Sequence, residues 1–302
     1  MTPAGRFLHI CYSCGDADRA TRFFVGAFGM RNTMRTTEEA TSGEIFSLPH
    51  EITSIASFVY DPRGPRVSPA IEIQGWRDPK PVGEAYASPS HVGIQALGIA
   101  VPDLAAALVR AEPLGAQRVA RSDAAWLGGT AQSVRTQDGH TLDLVESRGL
   151  GERASQLRHL RVTCSDLERS LAWYAGLGFQ HIETGEAAGA GAGAAGATRL
   201  RWARLRLPEE PFELALTQWL EPASHGRHYA EPYHVGFYRA ALRVEDTCAA
   251  YDAMRAAGWL FDRPPLHVAL SGTPVPDMWI TFTSDPDGIP YEFVQRPKSA
   301  FR

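Results

Sequence analysis

The chain has 302 residues, a length that suits two domains, and its 44% hydrophobic and 21% charged residues are those of a globular protein rather than a disordered or fibrous one. Thirty Lys plus Arg stand against 34 Asp plus Glu, a net charge of −4 with the basic residues scattered, which argues against a nucleic-acid surface. No apolar run approaches the roughly 18–20 residues of a membrane helix, and Met1 to Phe7 lacks the apolar core of a signal peptide, so a cytoplasmic protein with no membrane partner is expected.

The first element is an alternating strand in HICYSCGDADRATRFF (His9 to Phe24), followed by an Asp and a helical stretch. Cys11 and Cys14 spell C-x-x-C there, but no second pair matches them, and strand positions three apart face opposite sides. Both are read as small buried residues. Next, WRDPKPVGEAYASPSHVGIQALGIAVPD (Trp76 to Asp103) reappears as WLEPASHGRHYAEPYHVGFYRAALRVED (Trp219 to Asp246), at a constant offset of 219 − 76 = 143 residues. The chain is therefore two copies of one plan, with 1–147 and 157–302 as halves and 148–156 as the linker. Each half divides again, because HLRVTCSDLERSLAWY (His159 to Tyr174) matches the opening strand and helix.

Four modules result, starting near Phe7, Gln95, Leu157 and Tyr238. Each opens with a strand, an Asp at the helix N-cap and a helix, and three short strands follow. In module three Leu167, Leu171 and Tyr174 mark one helix face, and Gly176 and Gly178 stop the helix. QDGHTLDLVES and PDGIPYEFVQR end modules two and four with Asp-Gly turns. The Pro/Gly/Ser-rich segments 77–90 and 220–233 join modules within a half. Residues 186–197, almost all Gly and Ala, have little surface to anchor them and are expected to be mobile.

Four β-α-β-β-β modules, the His-to-Asp openings and the Asp-Gly-x-x-x-Glu ending resemble the vicinal oxygen chelate superfamily, which includes glyoxalase I, extradiol dioxygenases and bleomycin resistance proteins. The resemblance covers about residues 6 to 297. It implies an α+β fold of two similar halves, each a curved mixed sheet around a cavity with helices outside. It also implies metal ligands on the first and fourth strands of each module. The first-strand positions here are His9, Ala96, His159 and Arg239; the fourth-strand positions are Glu72, Asp143, Ala215 and Glu292, with Glu213 on the same face as Ala215. Imidazole and carboxylate together suit Fe, Mn, Ni or Zn.

If neighbouring modules pair, one cavity holds His9, Glu72 and Asp143 and the other His159, Arg239 and Glu292. If modules one and four pair, His9, Glu72 and Glu292 meet instead, and Asp143 and His159 share the other cavity. Extradiol enzymes carry a second His where this chain has Arg239, and a Tyr acid that Met278 to Thr283 lacks. Arg239 either binds a substrate anion, with Tyr291 and Trp279 nearby, or forms an internal salt bridge to Glu292 in place of the metal.

Two functions follow. One is a metal-dependent enzyme that chelates adjacent oxygens of a small organic substrate, with Glu72 or Glu292 moving the proton and Arg239 assisting. The other is a non-catalytic protein that sequesters an apolar or antibiotic-like compound. A homodimer is compatible with either.

Overall fold

The computed structural model describes residues 4–127, 129–147, 149–151, 154–188, 198–269 and 277–295. Module one runs β1 (Phe7–Cys14), α1 (Ala17–Phe28), β2 (Arg31–Arg35), β3 (Glu39–Ser42), β4 (Glu51–Tyr60) and β5 (Ala70–Asp78). Module two holds β6 (Gly93–Val101), α2 (Leu104–Ala111), β7 (Gln117–Ala124), β8 (Gly129–Arg135) and β9 (Thr141–Glu146). Module three holds β10 (Gln156–Thr163), α3 (Leu167–Gly176), β11 (Gln180–Ala188), β12 (Arg199–Arg206) and β13 (Glu213–Glu221). Module four holds β14 (Gly236–Val244), α4 (Thr247–Ala256), β15 (Leu266–Ala269), β16 (Asp277–Ser284) and β17 (Pro290–Gln295). The short β3 is an addition to the expected plan, and a 3-10 turn, Gly43–Phe46, joins it toward β4.

Local chemistry repeats with the modules. Asp16, Asp103, Asp166 and Asp246 cap the four helices, each carboxylate accepting the backbone N–H three residues on. Each cap satisfies a donor that the first helical turn leaves unpaired. The Asp-Gly turns place Gly139 at φ 84° and Gly288 at φ 85°, a left-handed backbone that a side chain would strain. The expected mobile tract falls, from residue 189 onward, outside the described residues; 186–188 end β11.

In every module the first strand pairs in parallel with the last. Modules then join through their first strands, antiparallel: β1 with β14, and β6 with β10. One sheet accordingly runs β15-β16-β17-β14-β1-β5-β4-β2, with β3 on β4, and the second runs β11-β12-β13-β10-β6-β9-β8-β7. The crossed arrangement is the one adopted, and each curled mixed sheet takes one module from either half.

Strand alternation sorts the two faces. Ile10 and Tyr12 of β1 enter a main core shared with Ile71, Leu97, Leu142 and Leu160, to which α1 contributes Phe23, Phe24 and Phe28. His9 and Cys11 face the opposite, concave side. The 143-residue repeat is visible in space as well. Trp76 and Trp219 are equally buried, at 1% and 2% exposure. Tyr86 and Tyr229 stack at 4.1 Å and exchange hydrogen bonds, each hydroxyl accepting the other's backbone N–H at 3.0 and 3.1 Å.

Candidate functional site

On β1, β5, β14 and β17 the fold brings four of the expected residues to one point. Glu72 lies beside Cys11 in the β1–β5 register, and Glu292 beside Ala241 in the β14–β17 register. His9 Nε2 stands 3.2 Å from Glu292 Oε2 and 3.4 Å from Glu72 Oε2. Arg239 reaches between the carboxylates: Nη2 donates to both oxygens of Glu72 at 3.0 and 2.9 Å, and Nε donates to Glu292 Oε2 at 3.0 Å. Its Nη1 lies 3.5 Å from Cys11 Sγ, and its guanidinium carbon is 5.0 Å from the centre of the Phe46 ring. All four residues are buried, Arg239 at 2% exposure.

Burial works against the charged form of Glu292, but Arg239 and the hydrogen bond to His9 win and hold its carboxyl down at about 2. Burial also opposes the charge on Arg239, yet Glu72, Cys11 and Glu292 raise its pKa, so the guanidinium is permanently charged. The Cys11 thiol is pushed well up by burial, which keeps it protonated despite the neighbouring cation. The arrangement is a paired, hydrogen-bonded polar floor.

Above this floor opens a cavity of about 430 Å³. Leu8, Phe46, Phe58, Val268 and Met278 supply apolar wall, Gln74 and Ser54 a polar edge, and the turn after β3 forms part of the rim. Phe46, Phe58 and Gln74 were not singled out in the sequence. Gln74 sits two residues beyond Glu72, on the same strand face, and that spacing is the signal that points to it. Tyr291 and Trp279 are not in the cavity, which corrects the expectation that they flank a substrate at Arg239. Tyr291 is on the opposite face of β17 from Glu292, where its hydroxyl meets that of Tyr174 at 2.9 Å in the core. Trp279 is 38% exposed and packs on His267.

Asp143 and His159 meet in the second sheet, with Nε2 of His159 3.5 Å from Asp143 Oδ2. A guanidinium is present here too. Arg161 Nε donates to Asp143 Oδ2 at 2.8 Å and Nη2 to Oδ1 at 3.3 Å, and Ser133 Oγ donates to Oδ1 at 2.7 Å. Arg161 lies opposite Ala96 on β6 and Ala215 on β13, so its side chain takes the space that two small residues leave. It follows His159 by two on one strand face, so spacing alone points to it. The substitution is reciprocal: in the first sheet β14 provides the guanidinium, as Arg239, across from Cys11; in the second β10 provides it, as Arg161, across from Ala96. The second hollow is filled by Trp126, Leu127, Leu200 and Trp202, and the small pocket beside Arg161 measures about 20 Å³.

The first floor can be tested against the divalent ion that the resemblance implies. Ligand atoms about 2.1 Å from a first-row ion stand roughly 3 Å from one another, and the spacings of His9 to the two carboxylates come near this. But Arg239 already bonds both carboxylates and supplies the positive charge that an ion would bring. Among the described residues no group of three or more His, Cys, Asp or Glu is arranged to hold a metal. As built, the floor suits a guanidinium and not an added divalent metal ion.

No curated protein matches the chain by sequence. Among solved structures it is similar to glyoxalase I from Zea mays, at 18% identity and a TM-score of 0.69 over 98% of this chain and 93% of that one. It is also similar to a candidate dioxygenase from Bacillus subtilis, at 13% identity and a TM-score of 0.66 over 97% and 86% of the two chains. At such identities these likenesses show the fold alone. The family model for the Glyoxalase/Bleomycin resistance protein/Dioxygenase superfamily matches residues 6–144 and again 156–293. Twice matched and nearly spanned by that model, the chain belongs to the glyoxalase/bleomycin resistance protein/dioxygenase superfamily.

Proposed function

We propose that this protein binds a small organic molecule in the cavity above Arg239, and does so without a divalent ion. The observation that carries the reading is the guanidinium of Arg239 between Glu72 and Glu292, where it bonds both of the carboxylates that would otherwise be free to hold a metal. A 430 Å³ cavity with apolar walls and a few polar groups has the dimensions and chemistry of a ligand site. Glu72 and Glu292 are, in this reading, structural anions that fix Arg239, and the wall residues make the contact with ligand.

The approach of His9 to both carboxylates favours a second reading, metal-dependent chemistry on vicinal oxygens, in which His9, Glu72 and Glu292 hold the ion. Elemental analysis of protein purified without added metal separates the two. The metal-free reading expects Fe, Mn, Ni and Zn all far below one equivalent, with no change in His9→Ala. One equivalent of metal that His9→Ala loses would overturn it in favour of the second.

A further inference from the structure

Resting on the small-molecule reading, the charges around the cavity narrow what it takes. Four carboxylates line it: Glu72 and Glu292 on the floor, and Glu39 and Glu44 at the exposed rim. Among the described residues the lining contains a single Lys or Arg, Arg239, whose nitrogens are committed to Glu72, Glu292 and Cys11. Arg77, on the strand that carries Glu72, is turned away to Glu38, and Arg263 donates to Ser47 outside the lining. His9, His267 and Tyr60 are the other titratable groups that line the space. Taking both histidines as neutral, the lining has a net charge of −3, and protonating both leaves it at −1. An anionic ligand would meet this field with no free guanidinium or ammonium to receive it.

The walls add a second, independent preference. Phe46 already presents its ring face to the Arg239 guanidinium, and Phe58 and Tyr60 line the same space. Aromatic faces attract cations and stack on apolar bodies, and they do so most strongly where water is displaced. We propose that the cavity takes an organic cation: a molecule with an amine or quaternary ammonium group on an apolar or aromatic body that the cavity walls enclose. The cavity is the site, and the carboxylates set the sign of its occupant.

A matched set of probes tests this: benzyltrimethylammonium, its uncharged tert-butyl isostere and phenylacetate, each titrated by displacement of an apolar fluorescent dye from the full-length protein. The expected order is cation over isostere by about tenfold, with phenylacetate weakest. The cation's advantage should shrink between 20 mM and 500 mM salt, as exposed carboxylates at the rim are screened. Glu39→Gln and Glu44→Gln, both at exposed positions that tolerate the change, should each lower the affinity for the cation by a few-fold and leave the isostere unchanged. Isostere or phenylacetate binding as tightly as the cation would overturn the charge preference and leave the small-molecule reading standing. Failure of the dye and of all three probes to bind would overturn both.

Discussion

Replacing Arg239 with methionine isolates the energetics of the floor. In the native protein Glu292 is held at about 2 instead of its ordinary 4.5. A carboxyl so shifted contributes on the order of 3 kcal/mol of stability, which is fully present above pH 4.5 and lost as pH falls through 2. Methionine fills much of the same volume but leaves Glu72 and Glu292, at 5% and 3% exposure, facing each other with His9 as their remaining partner. Stranding a buried charge in this way costs about 3–5 kcal/mol. The sign of the pH dependence should also reverse. With the guanidinium gone, desolvation and mutual repulsion lift the carboxyl pKa values above those of the unfolded chain, so Arg239→Met should gain stability as pH falls from 7 to 5, where the native protein is nearly flat with respect to Glu292. Urea denaturation at the two pH values reads both effects, and urea avoids the screening that a salt denaturant would introduce. Adding Glu72→Gln and Glu292→Gln to Arg239→Met should recover most of the loss, because the neutral trio no longer strands a charge. A loss below 1 kcal/mol at pH 7, or the same loss at pH 5, would refute the account of the floor as a closed ion-pair network.

Arg239→His should create what the native floor lacks, a second imidazole beside His9 with two carboxylates to complete it; cobalt(II) titration should give visible absorption bands for the variant and none for the native protein. Glu210 is buried, accepts the Phe7 N–H at 2.6 Å, and has its carboxyl pushed up to about 8 by burial. Since the folded protein then binds the proton more tightly than the unfolded chain, stability should fall as pH rises from 4.5 toward 8, by on the order of 4 kcal/mol, and Glu210→Gln should flatten that slope in a pH series of melting experiments. In the second hollow, Trp202→Ala should cost about 3–5 kcal/mol and open a space that binds a small apolar compound such as benzene; a variant as stable as the native protein would show that Trp202 does not fill that hollow.

The repeat makes much of this molecule legible in its sequence. A constant offset ties Trp76 to Trp219 and Tyr86 to Tyr229, and the Asp of each opening segment caps its helix, because these are local or self-repeating features. The pairing of modules is neither. It depends on which first strands come together antiparallel, and β1 has a hydrophobic, hydrogen-bonding edge that the pattern alone allows to join β6 or β14. Within the site, His9, Glu72, Arg239 and Glu292 follow from strand position. Strand parity also bears on the residues placed wrongly. Tyr291 is adjacent to Glu292 and must face the other way. Arg161 and Gln74 each lie two residues from a cavity-face position, His159 and Glu72, so the same parity places them on that face. The rim turn at Gly43–Phe46 and its Phe46 contact to Arg239 depend on where an added strand places a loop, and short-range periodicity carries no record of that.

The crossed pairing also sets the order in which the molecule can be assembled during synthesis. Modules two and three are contiguous, so β6 to β13 can close their sheet as soon as residue 221 has emerged from the ribosome. Module one, made first, must wait with one side of β1 unpaired until β14 arrives. Contacts so distant along the chain form slowly, and an open strand edge is exposed to wrong partners while it waits. The tryptophan-filled sheet is thus complete early and offers a surface on which the two ends of the chain can meet. The cavity, whose floor joins His9 to Glu292 across 283 residues, is the last part of the protein to form.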